Sequence, residues 1–474
     1  MSQAARKQES RSRSAAKPFP GGRRWDRAVL AACAVSALVV GLASPSHTSQ
    51  KVWGLIGAAG YACSALVAAR SPTPWARAPA VVAVIGAAVI PLSYLSAIGR
   101  AQMEVGVVER AADLLFSTGT PYNAAPHAVR DFNPYLPGMA LFGIPHLLFG
   151  DTPLASARLW FLVGFLAAVA QAVRVLTRGG ERAAGANGVA SGASGLTGAL
   201  WLIACPVVAL PLSIGGVDPP VIGLLCLALA FTQRGHAGRA GLVVGAAAVL
   251  KWTAWPAIPV IVAVLALRGG KRAAFTCAAA ATGLAALTVT PVALADTSAF
   301  YQNVVLYPLG LGPTASSAQS PLLGHLIVLL LPHGKAVTTV LIALSAVGVG
   351  ASLLVRPPQT TVAAADRLAL GLLLAIALSP ATRIGYAVYP VVLIAWPRFT
   401  ARLTTDRPVA APRPPGGEPP HHRRTVESRL CTTTAMSGPP SPHRSAVGRD
   451  VRRRPHRDHH ESGARRSADA REPR

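Results

Sequence analysis

The sequence predicts an all-α, polytopic membrane protein with about twelve transmembrane helices. Three observations lead there. Hydrophobic residues make up 51% of the 474-residue chain, and its mean hydropathy is +0.42. Charged residues make up only 14%, against about 25% in an average soluble domain. The basic side chains that remain outside the two ends gather between apolar runs, where the positive-inside rule puts them.

Residues 1–27 are rich in Arg and Ser and are expected to be a disordered, basic cytoplasmic tail. Ala28–Ser44, Val52–Ala69 and Pro79–Ile98 each approach the roughly 20 residues that a crossing needs. The first could pass for a signal peptide, but further spans follow at once, so it reads as a retained anchor. Arg23, Arg24 and Arg27, with Arg70 and Arg77 between the second and third spans, put the N-terminus in the cytoplasm.

On that parity a long first loop, about residues 99–156, lies outside. Gly99–Trp160 carries five acids, four arginines, two histidines and six prolines between strongly apolar neighbours. Pro134–Gly150 is apolar but holds Pro134, Pro137, Pro145 and His146. If it crossed, Arg174, Arg178 and Arg182 would be exported, so it is expected to lie on or re-enter the outer surface. Ala157–Leu176 is the next span. Gly179–Gly198 lacks the Gly-Lys-Ser/Thr ending of a phosphate-cradling loop and reads as a flexible cytoplasmic linker.

Leu196–Ile214 and Val217–Gln233 form a hairpin whose outer turn holds Gly215, Gly216 and Asp218. Ala240–Leu250 leads out to Lys251-Trp252, and Trp255–Leu267 returns to Arg268, Lys271 and Arg272. Gly241 and Gly245 form a GxxxG pair suited to close helix packing. Ala273–Ala295 leads to a second outer loop, Asp296–Ser320. Pro321–Leu331 is too short to cross, and Ala336–Val355, Arg367–Ser379 and Gly385–Trp396 complete the count. A membrane domain over 28–400 is then followed by a disordered cytoplasmic tail, 401–474, rich in Pro, Arg and His.

Several function classes drop out. The net charge of +26 follows the charge rule and lacks interleaved aromatics, so no nucleic-acid partner is expected. The six cysteines include no CxxC, which indicates neither a disulfide frame nor a metal site. No cofactor and no metal is expected, and the Asp-x-Asp motif is absent.

What remains is an unusual set of charges on the outer face. Glu104, Glu109, Asp113, Asp131, Asp151, Asp218 and Asp296 all fall outside, whereas Glu181 and Asp366 fall inside. On a helix over Met103–Phe116, Glu109, Arg110 and Asp113 share the polar arc, while Glu104 lands within the apolar one. A carboxylate so directed is costly unless paired or facing a wet cavity, and it suits general-base work. The alternative is a solvated flank to a helix that begins at Val105. Asp131 precedes a Pro-rich turn, where the reading as a turn residue is favoured over a functional one. Tyr122 reads equally as an interfacial aromatic. Lys251, Arg158 and Arg383 sit outside against the charge rule. They suit an anionic phosphate, or alternatively membrane anchoring and snorkelling.

At these residues the chain resembles the bacterial family 87 glycosyltransferases of the C-type membrane superfamily. The likeness runs over roughly 80–400. It covers Glu104, Ala111-Ala112, Gly119-Thr120-Pro121-Tyr122, Asn133-Pro134-Tyr135-Leu136-Pro137-Gly138 and Ala157-Arg158-Leu159. Further on it includes Gly215-Gly216-Val217-Asp218, Leu250-Lys251-Trp252 and Ser379-Pro380-Ala381-Thr382-Arg383. Glu104 stands where the family usually has Asp, and Val108 where Tyr is common. The resemblance implies transfer of a hexose, often mannose, from a polyprenyl-phosphate sugar to a glycan or glycolipid of the cell envelope. It would take place in the cell membrane, on the extracytoplasmic face. Glu104 would be the general base, with Asp131 as alternate. Lys251 and Arg383 would meet the lipid phosphate, and Arg158, Asp218, Tyr122 and Tyr135 would line the substrate site. The competing readings are a transporter or flippase of an envelope lipid and a non-catalytic polytopic protein.

Overall fold

The computed structural model describes residues 23–184, 188–312, 314 and 318–400. The two expected tails lie outside the described residues, apart from 23–27. Those residues open a helix, Arg23–Ala43, which therefore starts earlier than the apolar run alone suggests. Among the described residues the architecture is helical, and the one β-type contact is an isolated parallel bridge between Gln319 and Thr382.

Seven of the described helices are long and apolar enough to cross a membrane, or eight if one bent pair counts as a single span. That falls short of the twelve expected from apolar runs. The difference lies in short helices such as Asp218–Gln233 and Ala237–Ala248, and in Trp252–Ala295, which passes as a single stretch. Within that stretch the helix breaks at Gly270, whose φ of 74° and ψ of −177° no helix interior holds. Glycine adopts that conformation without a Cβ clash. The break falls among Arg268, Lys271 and Arg272, where the sequence predicts a turn.

Two other elements depart from expectation. Gly179–Gly198, read as a linker, is helical over most of its length, because the Ala157–Ala184 helix runs into it and the Gly188–Ile203 helix begins inside it. Its alanines are the strongest helix formers available. The predicted single span Leu196–Ile214 bends by 68° between Ile203 and Pro206. Cys205 takes an extended ψ of 130°, as a residue before proline is pushed to do.

The third membrane-length helix, Arg77–Ala97, contains a π turn at Ile85–Val89. Pro91 has no N–H to give the Ala87 carbonyl four residues earlier. That carbonyl instead accepts from Trp53 Nε1 at 2.7 Å. A proline in one helix thus becomes an anchor for another.

The largest core cluster joins the Ala157–Ala184, Asp218–Gln233, Ala237–Ala248, Thr361–Leu378 and Val388–Thr400 helices. Here the GxxxG expectation holds: a Cβ on Gly241 would lie 2.4 Å from the Cys277 carbonyl oxygen, and one on Gly245 2.9 Å from that of Ala281. The Pro134–Gly150 region forms a 3-10 stretch, Pro137–Gly143, and a short helix, Ile144–Phe149. Both pack on the Met103–Thr118 helix.

Candidate functional site

The Met103–Thr118 helix starts one residue before Glu104, so this carboxylate belongs to its first turn. There the exposed N–H groups favour negative charge. Further along the apolar arc Leu114 and Leu115 are only half-buried and Phe116 is exposed, but in its first turns Val105, Val107, Val108, Ala111 and Ala112 are inside as the 100° periodicity predicts. Glu104 goes with them and is only 7% exposed. On the opposite arc Glu109 has a defined use: it accepts from the Ala157 N–H at 2.9 Å and the Ser156 hydroxyl at 3.2 Å, capping the next long helix.

Three chain segments outside the long helices close around Glu104. In the first, Asn133 is held by Asn303 Oδ1 at 2.8 Å and donates to the Pro121 carbonyl at 3.0 Å. The chain then pairs with the stretch before Lys251, Leu136 N–H to Leu250 at 3.1 Å and Gly138 N–H to Val249 at 3.0 Å. Glycine is needed at 138, since a Cβ there would lie 2.8 Å from the Val249 carbonyl oxygen. In the third segment Ser320 N–H donates to the Thr382 carbonyl at 2.9 Å, and Ser320 Oγ accepts from the Ile384 N–H at 3.1 Å. This fixes the backbone on both sides of Arg383.

The result is a cavity of about 200 Å³ lined by Glu104, Lys251, Thr253, Arg383 and the aromatic rings of Phe132, Tyr135, Trp252, Tyr307 and Tyr386. Arg383 makes an ion pair with Glu104 across it. Lys251, 8% exposed, donates to Asp218 Oδ1 at 2.5 Å. Its ammonium also lies 4.6 Å from the Tyr386 ring centroid and 5.7 Å from that of Tyr135, an attraction between cation and ring face. Burial by itself would drive the Lys251 ammonium down, but Asp218 and Tyr386 outweigh it and hold it above the usual lysine range. Arg383 is likewise held above its ordinary value, with Glu104 overcoming the cost of burial. The site therefore holds two carboxylates matched by two cations.

The residues singled out from the sequence divide into three groups. Glu104, Lys251, Arg383 and Tyr135 line the cavity, and Asp218 backs it through Lys251. Tyr122 does not line it. Its ring is buried edge-on against Phe300 at 5.6 Å, and its hydroxyl donates to the Tyr135 carbonyl at 3.0 Å. Its work is to hold the Tyr135 segment. Arg158 and Asp131 lie outside the lining too. Arg158 donates to the Arg100 carbonyl at 2.6 Å and to Ser96 Oγ at 2.9 Å, tying the end of the Arg77–Ala97 helix to the Ala157–Ala184 helix. Asp131 accepts from the Ala128 N–H at 2.8 Å and the His127 N–H at 3.3 Å. The Ala128 bond, with help from His127, pulls this carboxyl below its ordinary range against the effect of burial.

Sequence reasoning missed Thr253, Trp252, Tyr386 and Tyr389. Tyr389 donates to Asp218 Oδ1 at 2.7 Å and accepts from Thr253 Oγ1 at 2.7 Å. The available signal was proximity: Thr253 follows Lys251 by two residues, and Tyr386 and Tyr389 follow Arg383 at helical spacing. Among the described residues no group of three or more His, Cys, Asp or Glu side chains is placed to hold a metal ion.

Residues 133–380, more than half of the chain, match the model of glycosyltransferase family 87. The chain belongs to this family. No curated protein and no solved structure matches it. As a family 87 member it is a membrane glycosyltransferase, which moves a sugar from a donor to an acceptor. The family 87 match takes in Tyr135, Arg158, Asp218 and Lys251; it begins after Glu104, Tyr122 and Asp131 and ends just before Arg383.

Proposed function

We propose that this glycosyltransferase takes its hexose from a polyprenyl-phosphate sugar and delivers it to a glycan or glycolipid of the envelope, on the extracytoplasmic side of the cell membrane. One observation carries the reading: a buried carboxylate and two cations from three separate segments, Glu104, Lys251 and Arg383, share one small cavity. Displacement at an anomeric carbon needs both kinds of group.

In this mechanism the sugar phosphate enters a cavity whose charges are already balanced. Adding an anion favours opening the pair that lines the cavity. Arg383, with 29% of its side chain exposed, turns from Glu104 to the phosphate, joining Lys251. Glu104 is left free to take the proton of the acceptor hydroxyl. The acceptor oxygen then bonds to the anomeric carbon as the carbon–oxygen bond to phosphate breaks. The electron pair leaves with the phosphate, whose added charge Lys251 and Arg383 stabilise.

The charge rule supports this side of the membrane. Arg158 stands at the start of the Ala157–Ala184 helix and Arg174 towards its end. Lys251 lies before the helix that ends at Arg268–Lys271. The cavity is thus at the ends of the helices remote from Arg23, Arg70, Arg77, Arg268 and Arg272, which we assign to the cytoplasm. We take the short helices and both parts of the stretch broken at Gly270 as spans too, a reading with about twelve crossings and both termini inside.

The test is transfer by the purified chain in nanodiscs, from polyprenyl-phosphate mannose, glucose and galactose to an envelope lipid extract. Transfer from one of them by the unaltered protein, abolished in E104Q, supports the reading. Unchanged transfer in E104Q removes Glu104 as the base. No transfer from any donor, with movement of the polyprenyl lipid between leaflets instead, would favour the transporter reading.

A further inference from the structure

The wall of the cavity behind Lys251 holds a chain of hydrogen bonds whose direction has only one solution. The Asp218 carboxylate accepts from Lys251 Nζ at 2.5 Å and from the Tyr389 hydroxyl at 2.7 Å. A carboxylate can only accept, so the single proton of Tyr389 is committed to Asp218. Tyr389 is wholly buried, at 0% exposure. Its oxygen is left to accept, and it does so from Thr253 Oγ1 at 2.7 Å. That commits the single proton of Thr253 in turn. Thr253 is half-buried and lines the cavity. What its oxygen presents to a ligand is a lone pair and no proton.

We propose that Thr253 is an obligate hydrogen-bond acceptor which selects a hydroxyl of the bound ligand, a sugar ring hydroxyl in a glycosyl donor, and that Asp218 and Tyr389 impose this polarity from behind. The inference rests on the glycosyl-transfer reading for the identity of the ligand. Its consequence is a sorting of the two parts of a sugar phosphate. Phosphate oxygens are acceptors, find no proton at Thr253, and are directed to Lys251 and Arg383. A sugar hydroxyl, which can donate, is accepted at Thr253. Tyr389 is a positioning residue: it lies behind the cavity lining and acts through Thr253. Replacing a hydroxyl by fluorine removes the ability to donate, so a single fluorinated position should lose what Thr253 supplies.

The experiment uses the full chain in nanodiscs and reads binding by tryptophan fluorescence, since Trp252 lines the same cavity. The ligands are farnesyl phosphate, farnesyl-phosphate mannose, glucose and galactose, and the monodeoxyfluoro analogues of whichever sugar binds tightest. The unaltered protein should bind one fluoro analogue about 3- to 10-fold more weakly than its parent, the range of a neutral hydrogen bond. T253V should erase that preference while farnesyl phosphate still binds. T253S should keep it. Y389F releases the Thr253 proton and should reduce the preference with Thr253 still in place, an effect a merely structural role would not give. Equal binding of all fluoro analogues by the unaltered protein overturns the proposal, as does a preference that persists in T253V or is untouched in Y389F. Sugar transfer with a preference indifferent to Thr253 overturns this inference alone. Thr253-dependent hydroxyl selection without transfer sustains it and removes the glycosyl-transfer reading. Absence of binding by every ligand overturns both.

Discussion

Arg383, on the loop after the Thr361–Leu378 helix, reaches the carboxylate of Glu104 in the first turn of the Met103–Thr118 helix and closes an ion pair within the cavity. In the proposed mechanism this pair opens when the sugar phosphate binds. If Glu104 takes the acceptor's proton, E104Q should lower transfer by about 10²- to 10⁴-fold, the range of a general base. E104D should retain part of it. R383A leaves the carboxylate without its cation and the departing phosphate with one cation fewer, and should both raise the KM for the phosphate donor and lower kcat. Steady-state transfer kinetics distinguish these outcomes, and equal rates for E104Q and the unaltered chain would exclude this carboxylate from proton transfer.

Asp131 offers a contrast. Its carboxylate is spent on the Ala128 and His127 N–H groups and does not line the cavity. D131N should therefore transfer within about threefold of the unaltered chain, small beside the loss expected of a general base. Because its pKa is lowered on folding, its contribution to the loop is present above the ordinary aspartate value of 3.8 and lost as the pH falls through the folded value. Proteolysis of the 127–131 loop on acidification should show this in the unaltered chain and not in D131N. A large fall in kcat for D131N would return Asp131 to the reaction.

Lys251 and Asp218 form the second pair, and both are nearly buried, with side chains 10% and 13% exposed. Removing one partner strands the other. K251M and D218N should each cost about 3–5 kcal/mol, whereas the double variant should recover much of that loss. Activity should stay low in all three, because each lacks the cation or the carboxylate that holds it. A double-mutant cycle on thermal unfolding in detergent measures the coupling, and additive losses would mean that the pair contributes nothing.

The same pair sets a pH limit on stability. Asp218 and Tyr386 overcome burial to hold the folded Lys251 above the ordinary lysine value of 10.5. A group raised on folding gives its full contribution below the unfolded value and loses it as the pH rises through the folded one. Melting temperature should thus fall more steeply above pH 10.5 in the unaltered chain than in K251M, which begins lower and has no ammonium to lose. Parallel slopes for the two proteins would contradict the raised value.

How much of this was legible in the sequence depends on how local the cause is. Glu104 could be placed on the buried arc because helical periodicity acts over a few residues, and the structure puts it there. The cations around the cavity stood out because the order of spans read from the sequence set them against the charge rule. That Arg383 would meet Glu104, or Lys251 meet Asp218, was not legible, since those pairings are made by tertiary packing between distant segments. Tyr122 shows the converse: a phenol that suits a ligand in one dimension is spent on the Tyr135 carbonyl in three. Gly179–Gly198 misled for another reason. Glycine count suggested a linker, while the interspersed alanines keep most of the stretch helical.

Gly138 tests whether the backbone pairing, and not the side chains alone, sets the site. Its N–H donates to the Val249 carbonyl at 3.0 Å, and two residues earlier the Leu136 N–H donates to Leu250 at 3.1 Å, so Tyr135 and Lys251 are held in register. A Cβ at 138 would lie 2.8 Å from both the Val249 carbonyl oxygen and its Cγ2. The oxygen is backbone and cannot rotate away, so G138A must push the two segments apart. Overpacking of this kind costs about 1–3 kcal/mol. A displacement near 1 Å at a positioned group can lower a rate about 10²-fold. G138A should accordingly melt only somewhat lower, yet lose most of its transfer and weaken its binding of farnesyl phosphate, because Lys251 moves with Val249 and Leu250. V249A in the same background removes the Cγ2 clash but not the carbonyl clash, so it should restore little. Full recovery in G138A/V249A would show that the side chain, and not the paired backbone, governs the register.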